Sequence, residues 1–460
     1  MLMETSSTAP GLKNSYETEI DYMKLNRFFF GGVHPSCRKE LSVKAAHPVE
    51  VTPKQVVIPM QQHIGAPCVP LVKVGDRVLR GRKIGDGEGL CVPVHASVSG
   101  TVTAVEPRPH PSGRMVNAVV IENDFQDIAI PPRESCGNAE AMDADTILGL
   151  IREAGIVGMG GAAFPGNVKA LSAIGKVDTL IANACECEPY ITADDTLLRT
   201  NPEQVLRGMQ ILSRVLQPKR AILAVEDNKP EAIAKVKGLL PEYAGIEMSV
   251  LPTRYPQGAE KQLIQALTGR EVLPGQLPVS AHCAVFNVST FAAIYRAVEL
   301  GVPVTSRIVT VSGEAIREPQ NFFVRIGTSF RDLIEAAGGL NDSTERVVSG
   351  GPMMGIAQSD LSVPVVKATN SVLCLLKDRN RAAENPVCLR CGKCVSVCPM
   401  RLQPLYLYRF EKAGNTGELE RLHVMDCMEC GCCAFTCPGK LPLVERIRSG
   451  KQLLKEAKSK

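Results

Sequence analysis

The stretch CLRCGKCVSVCPM, residues 388–400, and its echo CMECGCCAFTCPG, residues 427–439, decide how the C-terminal part of this chain folds. Each reads C-x2-C-x2-C-x3-C-P, the spacing of a [4Fe–4S] ligand run in which the fourth cysteine serves the other cluster. Three cysteines two residues apart can wrap a tight loop around one face of a cubane. The fourth lies a turn further on and points away. One cluster would then take Cys388, Cys391, Cys394 and Cys437, and the other Cys427, Cys430, Cys433 and Cys398. Pro399 and Pro438 stop a helix from continuing through either run. Zinc also accepts paired cysteines, but seldom four in one run closed by Cys-Pro. Cys432 is an extra cysteine inside a frame already complete. It reads as a small side chain filling a gap rather than a shared ligand.

Working outward, 460 residues are too many for one core and imply three or four domains. Hydrophobic content of 45% and charged content of 22% are ordinary for a globular protein. A net charge of +4, scarce aromatics and no tryptophan argue against nucleic acid. No apolar run is long enough to span a bilayer. Residues 1–27 lack a charged start followed by an apolar stretch, so they read as a disordered lead rather than a signal peptide. The nine cysteines outside the two runs are irregularly spaced, and with no export signal a reducing compartment without disulfides is expected.

Residues 28–130 read as a small β domain, with turn residues at regular intervals between β-branched runs. VKVGDRVLRGRKIG and ASVSGTVTAV resemble a biotinyl/lipoyl-like barrel-sandwich hybrid. A carrier domain of that type needs a modifiable lysine on the exposed hairpin between those phrases. EGLCVPVHASVSG has none there, so docking or scaffolding is expected. His63, His95 and His110 fit no metal spacing and read as surface or core histidines. Residues 140–303 read as α/β: ADTILGLIREAG is helical, VDTLIANA, RAILAVED and IEMSVLP are strands, and the alternation implies a largely parallel sheet. Such sheets place ligands at the carboxyl ends of their strands. Residues 304–375 read strand, turn, strand, helix and resemble a soluble-ligand-binding β-grasp module. A polar linker at 377–386, a cluster domain over 380–445 and a basic amphipathic tail at 446–460 complete the chain. The tail is either a solvated terminal helix or a contact with a partner or membrane surface.

GIVGMGGAAFPGNVK, residues 155–169, carries G-x-G-x-x-A at Gly158, Gly160 and Ala163. A dinucleotide loop should follow a strand, whereas a helix precedes this one, so the motif alone is weak. Glycines still let backbone N–H groups approach a phosphate or a flat ring; the bland alternative is a tight interhelical turn. NACECEPY, residues 183–190, ends a strand with Asn183, Glu186 and Glu188, polar groups suited to a cofactor's edge and hydroxyls.

GMGGAAFP, NACECEPYIT, YPQGAEKQLIQALTG and VFNVSTFAAI run in the order seen in the flavin-bearing, NADH-binding subunit of respiratory complex I. With FFFGGVHP, QHIGAP, HASVSGTVTAVEPRPHPSG, SGGPMMG and the double cysteine frame, the chain resembles the RnfC family of Rnf electron-transport complexes. The resemblance implies a multidomain α/β protein: a barrel-sandwich hybrid, a Rossmann-like FMN/NAD(H) domain, a β-grasp module and an α-helical ferredoxin-like domain with two [4Fe–4S] clusters. It implies FMN bound by Gly158, Gly160, Gly161, Lys169, Asn183, Glu186, Gly258, Glu260, Asn287 and Thr290, with Phe164 and Glu188 flanking the nicotinamide of NAD(H). The implied setting is peripheral, on the cytoplasmic face of the bacterial inner membrane. Implied partners are integral membrane subunits, a ferredoxin-like subunit and ferredoxin. The net reaction would be ferredoxin:NAD+ oxidoreduction coupled to Na+ or H+ movement. Met159, Cys185 and Phe286 depart from the complex I pattern, which has arginine, aspartate and asparagine there. Two alternatives remain: a soluble flavin/iron–sulfur reductase of the cobalamin-reductase type, and a flavin-free electron-wire subunit.

Overall fold

The computed structural model describes residues 29–132, 136–376 and 386–459. The expected lead and nearly all of the expected linker lie outside the described residues. Strands β1 (Val49–Val51) and β2 (Gln55–Pro59) come first, followed by β3 (Val69–Pro70), β4 (Arg77–Val78), β5 (Lys83–Asp86), β6 (Val94–His95), β7 (Gly100–Pro109) and β8 (Met115–Asn123). All but β1 form two sheets, in the orders β2-β8-β7-β4 and β3-β5-β6. Val56, Ile58, Ile84, Val94, Val102 and Ile121 fill the space between them. The hairpin expected to be exposed is not: Cys91 through Gly100 is buried throughout, and only Glu88 and Gly89 stand out at its approach. The reason is packing against the third domain, where Ser97 Oγ donates to Ile326 O at 2.5 Å and Lys367 Nζ donates to Pro93 O at 2.7 Å.

The central domain runs α1 (Ala144–Glu153), α2 (Gly166–Ala173), β9 (Thr179–Ala184), α3 (Ala193–Thr200), α4 (Pro202–Leu216), β10 (Arg220–Glu226), α5 (Pro230–Leu239), β11 (Ile246–Leu251), α6 (Glu260–Thr268), β12 (Cys283–Asn287) and α7 (Val288–Val298). Pro202 starts α4 with its φ already helical, and Val205, Leu206, Met209, Leu212 and Val215 bury one stripe. All four strands are parallel, in the order β11-β10-β9-β12.

The third domain adds β13 (Ser306–Ser312), β14 (Gln320–Arg325), α8 (Phe330–Ala336), β15 (Thr344–Ser349), β16 (Ile356–Gln358) and β17 (Ser371–Leu376). Its six-stranded sheet, β1-β14-β13-β17-β15-β16, takes its edge strand β1 from far upstream.

The cysteine runs sit among α9 (Lys393–Ser396), α10 (Pro404–Lys412), α11 (Thr416–Arg421), α12 (Cys432–Phe435) and α13 (Leu443–Ser459). Helix α13 crosses the boundary expected between 445 and 446. Leu443, Ile447, Gly450 and Leu454 fall on one face and are buried, so the basic residues of the expected tail belong to the cluster domain. Lys451 Nζ donates to Cys427 O at 2.6 Å and pairs with Glu429 Oε1 at 2.7 Å. Among the described residues, no helix is long and apolar enough to cross a membrane.

Candidate functional site

The two cysteine runs cross over, as the spacing requires. Cys398, Cys427, Cys430 and Cys433 line one cavity, with Cys432 also at its wall, and Cys388, Cys391, Cys394 and Cys437 line another. Both loops use the same backbone device. Arg390 and Glu429 take positive φ angles of 54° and 58°, and each donates its N–H to the thiol sulfur two residues earlier, at 3.3 and 3.4 Å. Gly392 and Gly431 follow at φ 76° and 81°, a region that other side chains adopt at a cost. Eight sulfurs in two groups of four, each with backbone donors, fit two [4Fe–4S] clusters. Cys432 is fully buried, packs with Val33, Tyr255 and Cys430, and lies at the wall of the first cavity.

The order of the parallel sheet locates a second site. From β9 the chain steps outward to β10 and β11, then returns to place β12 on the other side of β9. Ligands of such sheets bind at this reversal, beyond the carboxyl ends. There Asn183 and Asn287 are direct register partners. Asn183 holds its own loop together, donating from Nδ2 to Gly258 O at 2.8 Å and accepting from Cys185 N at 3.0 Å. Gly258 has to be small, because a Cβ there would lie 2.1 Å from Cys185 O. The glycine loop joins α1 to α2 across this end of the sheet. Thr290 Oγ1 accepts from Met159 N at 3.0 Å, and Gly158 N donates to Phe164 O at 2.9 Å. A Cβ on Gly161 would meet nothing within 4 Å, whereas one on Gly160 would press on the Asn287 side chain at 3.0 Å. Lys169 Nζ pairs with Glu260 Oε1 at 2.5 Å, half-buried beside the Phe286 ring.

Beneath the loop, Glu186 belongs to a charged floor whose other members the sequence did not single out. It accepts from Asp194 N at 2.8 Å, and Asp194 in turn accepts from Asn287 Nδ2 at 2.6 Å and Ser289 Oγ at 2.9 Å. Burial pushes the Glu186 carboxyl up to about 7 and raises Asp194 as well. Lys39, from the segment before β1, donates to the carbonyls of Glu186, Glu188 and Ile191 at 2.8, 3.1 and 2.5 Å. A buried pair, Lys229 to Glu226 at 3.0 Å, supports the strand ends, and Arg307 donates to Met159 O at 3.3 Å.

The Glu188 carboxylate is held from the third domain. It accepts from Met353 N at 3.1 Å and Met354 N at 2.9 Å, backbone groups of the SGGPMMG segment, and burial lifts the carboxyl to about 7. Phe164 remains half-buried at the end of the glycine loop. Tyr255, between β11 and α6, donates its Oη to Cys430 O at 2.7 Å, and Cys187 and Met353 pack against the same cluster of buried residues. Gly32 N donates to Val397 O at 2.8 Å, and Val33 pairs with Tyr255. A Cβ on Gly31 would lie 2.7 Å from Val397 O, so only glycine lets the chain pass against the Cys398 loop. The segment Gly31, Gly32 and Val33 is thus a seam between the central domain and the Cys398/427/430/433 cavity. The other cavity lies away from that seam, with Cys391 exposed and Leu389 67% exposed.

Comparison with known proteins agrees with this geometry. The profile of the Nuo51 FMN-binding domain matches residues 151–296. An RnfC barrel sandwich hybrid domain matches 27–126, an SLBB domain 308–357 and a 4Fe-4S dicluster domain 382–438. The C component of the Na(+)-translocating ferredoxin:NAD(+) oxidoreductase complex of Acetobacterium woodii is 45% identical over 92% of this chain and 96% of its own length. The proton-translocating counterpart of Clostridium ljungdahlii is 44% identical over 82% of this chain and 83% of its own length. The C component of the ion-translocating oxidoreductase complex of Pectobacterium carotovorum is 41% identical over 92% of this chain, which spans 57% of that longer relative. With the N-terminal domain, the FMN-binding domain and the paired cysteine cavities all accounted for, the chain belongs to the RnfC family, the C components of ion-translocating ferredoxin:NAD(+) oxidoreductase complexes.

Proposed function

We infer that the chain is the peripheral electron-transfer subunit of an ion-translocating ferredoxin:NAD+ oxidoreductase, exchanging electrons between NAD(H), FMN and two [4Fe–4S] clusters. The observation that carries this reading is the seam at Tyr255, where a cluster cavity packs directly on the FMN-type domain. FMN, when bound, takes a hydride's two electrons together and releases them singly, as iron–sulfur centres require.

The residues present suit that group. The open space at Gly161 and the backbone of Gly158 and Gly160 leave room for a flat ring or a phosphate beside the glycine loop. Asn183, Gly258, Asn287 and Thr290 shape the sheet end of a Rossmann-like site, and Lys169 with Glu260 supplies its charged rim. Glu186 is held by Lys39 and Asp194, and a carboxyl held near neutral pH can keep or release a proton there. Glu188 and Phe164 are the groups proposed to flank the nicotinamide, Glu188 from a position where Met353 N and Met354 N hold its carboxylate.

The Cys398/427/430/433 set is the inner one. The Cys388/391/394/437 set, with Cys391 exposed, is where a ferredoxin-like subunit or ferredoxin would exchange electrons. The third domain is read as a β-grasp module that carries the Met353 loop onto Glu188. Integral membrane subunits on the cytoplasmic face of the inner membrane would hold the chain in place. The choice of ion falls to those subunits, since relatives named for Na(+) and for protons are 45% and 44% identical to this chain.

The test is an anaerobic NADH titration of the purified, cluster-reconstituted chain, followed by visible absorbance. Joint bleaching of flavin and cluster bands is the expected result. Cluster absorbance that ignores NADH, with no flavin band to bleach, would remove the dehydrogenase reading.

A further inference from the structure

Away from both sites, two surface loops of the N-terminal domain converge on a buried group of three donors. His63, Cys68 and Cys91 are 5%, 5% and 2% exposed, and their ligand atoms all lie within 4.8 Å of one another. The spacing hides this, because the residues come from either side of β3 to β5 and meet only through the fold. The two thiol sulfurs stand 3.4 Å apart. Both face Val92 O, at 3.3 and 4.0 Å. Buried His63 Nδ1 has no hydrogen bond of normal geometry, and Nε2 receives only a long N–H contact from Val92 at 3.4 Å.

Three readings compete. A disulfide needs sulfurs at about 2.05 Å, well inside the observed separation, and it needs an oxidant. Gap-filling by small side chains explains the cysteines but leaves the buried His63 Nδ1 without a hydrogen bond of normal geometry. Two thiolates on a tetrahedral zinc ion, each at about 2.3 Å, stand about 3.8 Å apart, close to what is seen. Lys367 Nζ is buried behind the pair, donating to the carbonyls of Pro93 and Gly155 at 2.7 and 2.6 Å.

We propose that His63, Cys68 and Cys91 form a Cys2His site for a soft d10 metal ion, zinc(II) in the first instance. Binding forms two metal–sulfur bonds and one metal–nitrogen bond and releases the two thiol protons to solvent, with no change of oxidation state. Three protein ligands leave a fourth position for Val92 O or a water. The ion would tie the loop of residues 61–68 to that of 86–93. The first of these also meets the glycine loop, where Ile64 N donates to Ala163 O at 3.2 Å.

The experiment is elemental analysis of the full, cluster-loaded chain after dialysis against a weak chelator, with zinc-edge X-ray absorption on the same sample. Expected are one zinc per chain beyond the iron, and a first shell of two sulfurs near 2.3 Å with nitrogen near 2.0–2.1 Å. The Cys68→Ser/Cys91→Ser variant should lose the zinc and keep its iron and flavin. Zinc that persists in that variant would be ion misplaced in the iron–sulfur cavities, and would overturn the proposal. So would an absorption shell of four sulfurs in the native chain, or a thiol count that finds Cys68 and Cys91 oxidised to each other. Where the double variant does not fold, the native absorption shell decides alone. Copper(I) titration against a chromogenic chelator separates the two d10 ions, and absence of either ion at this pair refutes the site.

Discussion

The two cysteine loops are one backbone in two settings. Gly392 and Gly431 occupy the same turn, but a Cβ on Gly392 would meet nothing within 4 Å, while one on Gly431 would lie 2.7 Å from Met353 O. Arg390 faces solvent, while its counterpart Glu429 is gripped by Lys451 at 2.7 Å and Arg448 at 2.6 Å. The ligand geometry comes from the local sequence, and the difference in role comes from what each loop is pressed against. An inner loop walled by three domains and an outer loop open to a partner make a path with two distinguishable ends.

The largest expected effect tests which end is which. Cys433→Ala should remove about four of the eight irons and, with them, reduction of the remaining cluster by NADH. Cys391→Ala should remove a similar amount of iron yet leave NADH reducing the inner cluster, as followed by low-temperature EPR. Identical behaviour of the two variants would erase the distinction between inner and outer. Next in size is the glycine pair. Forcing alanine into the left-handed region costs about 1 kcal/mol at either position, and overpacking against Met353 adds roughly 2 kcal/mol at Gly431 alone. Thermal midpoints at a fixed scan rate should therefore fall further for Gly431→Ala than for Gly392→Ala, and equal losses would mean that the Met353 loop does not sit there. Tyr255→Phe removes one hydrogen bond to Cys430 O and should cost about 1 kcal/mol, with a shift in the EPR signal or potential of the inner cluster only. A separate effect is on pH dependence. Folding raises the Glu188 carboxyl from 4.5 to about 7, so the folded state favours the protonated form. The contribution of Glu188 to stability is then full below 4.5, declines as pH rises toward 7 and stays lost above it. The native chain and Glu188→Gln should melt alike near pH 5 and separate near pH 8, with the variant higher. A constant difference across that range would mean a carboxylate already ionised in both states.

The cysteine partition was legible because eight residues at fixed short spacing determine their own loops. The glycine loop and Asn183 at its strand end could be picked out for a similar reason, since the turn chemistry is local, whereas Asn287 came only with the family resemblance. What escaped was anything assembled across domains. Lys39 reaches the carbonyls after β9 from a segment with no periodicity of its own. Asp194 looks like one more acidic residue at a helix start. Tyr255, Met353 and Val397 meet only because three domains close on one another, and no hydrophobic period encodes that. The lipoyl-like reading of the N-terminal domain carries with it an exposed hairpin at Cys91–Gly100; Lys367 and Ile326, far downstream, bury it. Helix α13 reads as a tail in the sequence because its charge is conspicuous and its Leu443–Leu454 stripe is sparse.

The seam at Gly31 and Gly32 also bears on how the protein comes into being. These residues leave the ribosome long before Val397 and Cys398 exist. The N-terminal domain can complete its own two sheets early, but its link to the cluster loops has to wait until the central and third domains have been made. The Cys398 loop is therefore uncovered on that side for as long as the seam is open.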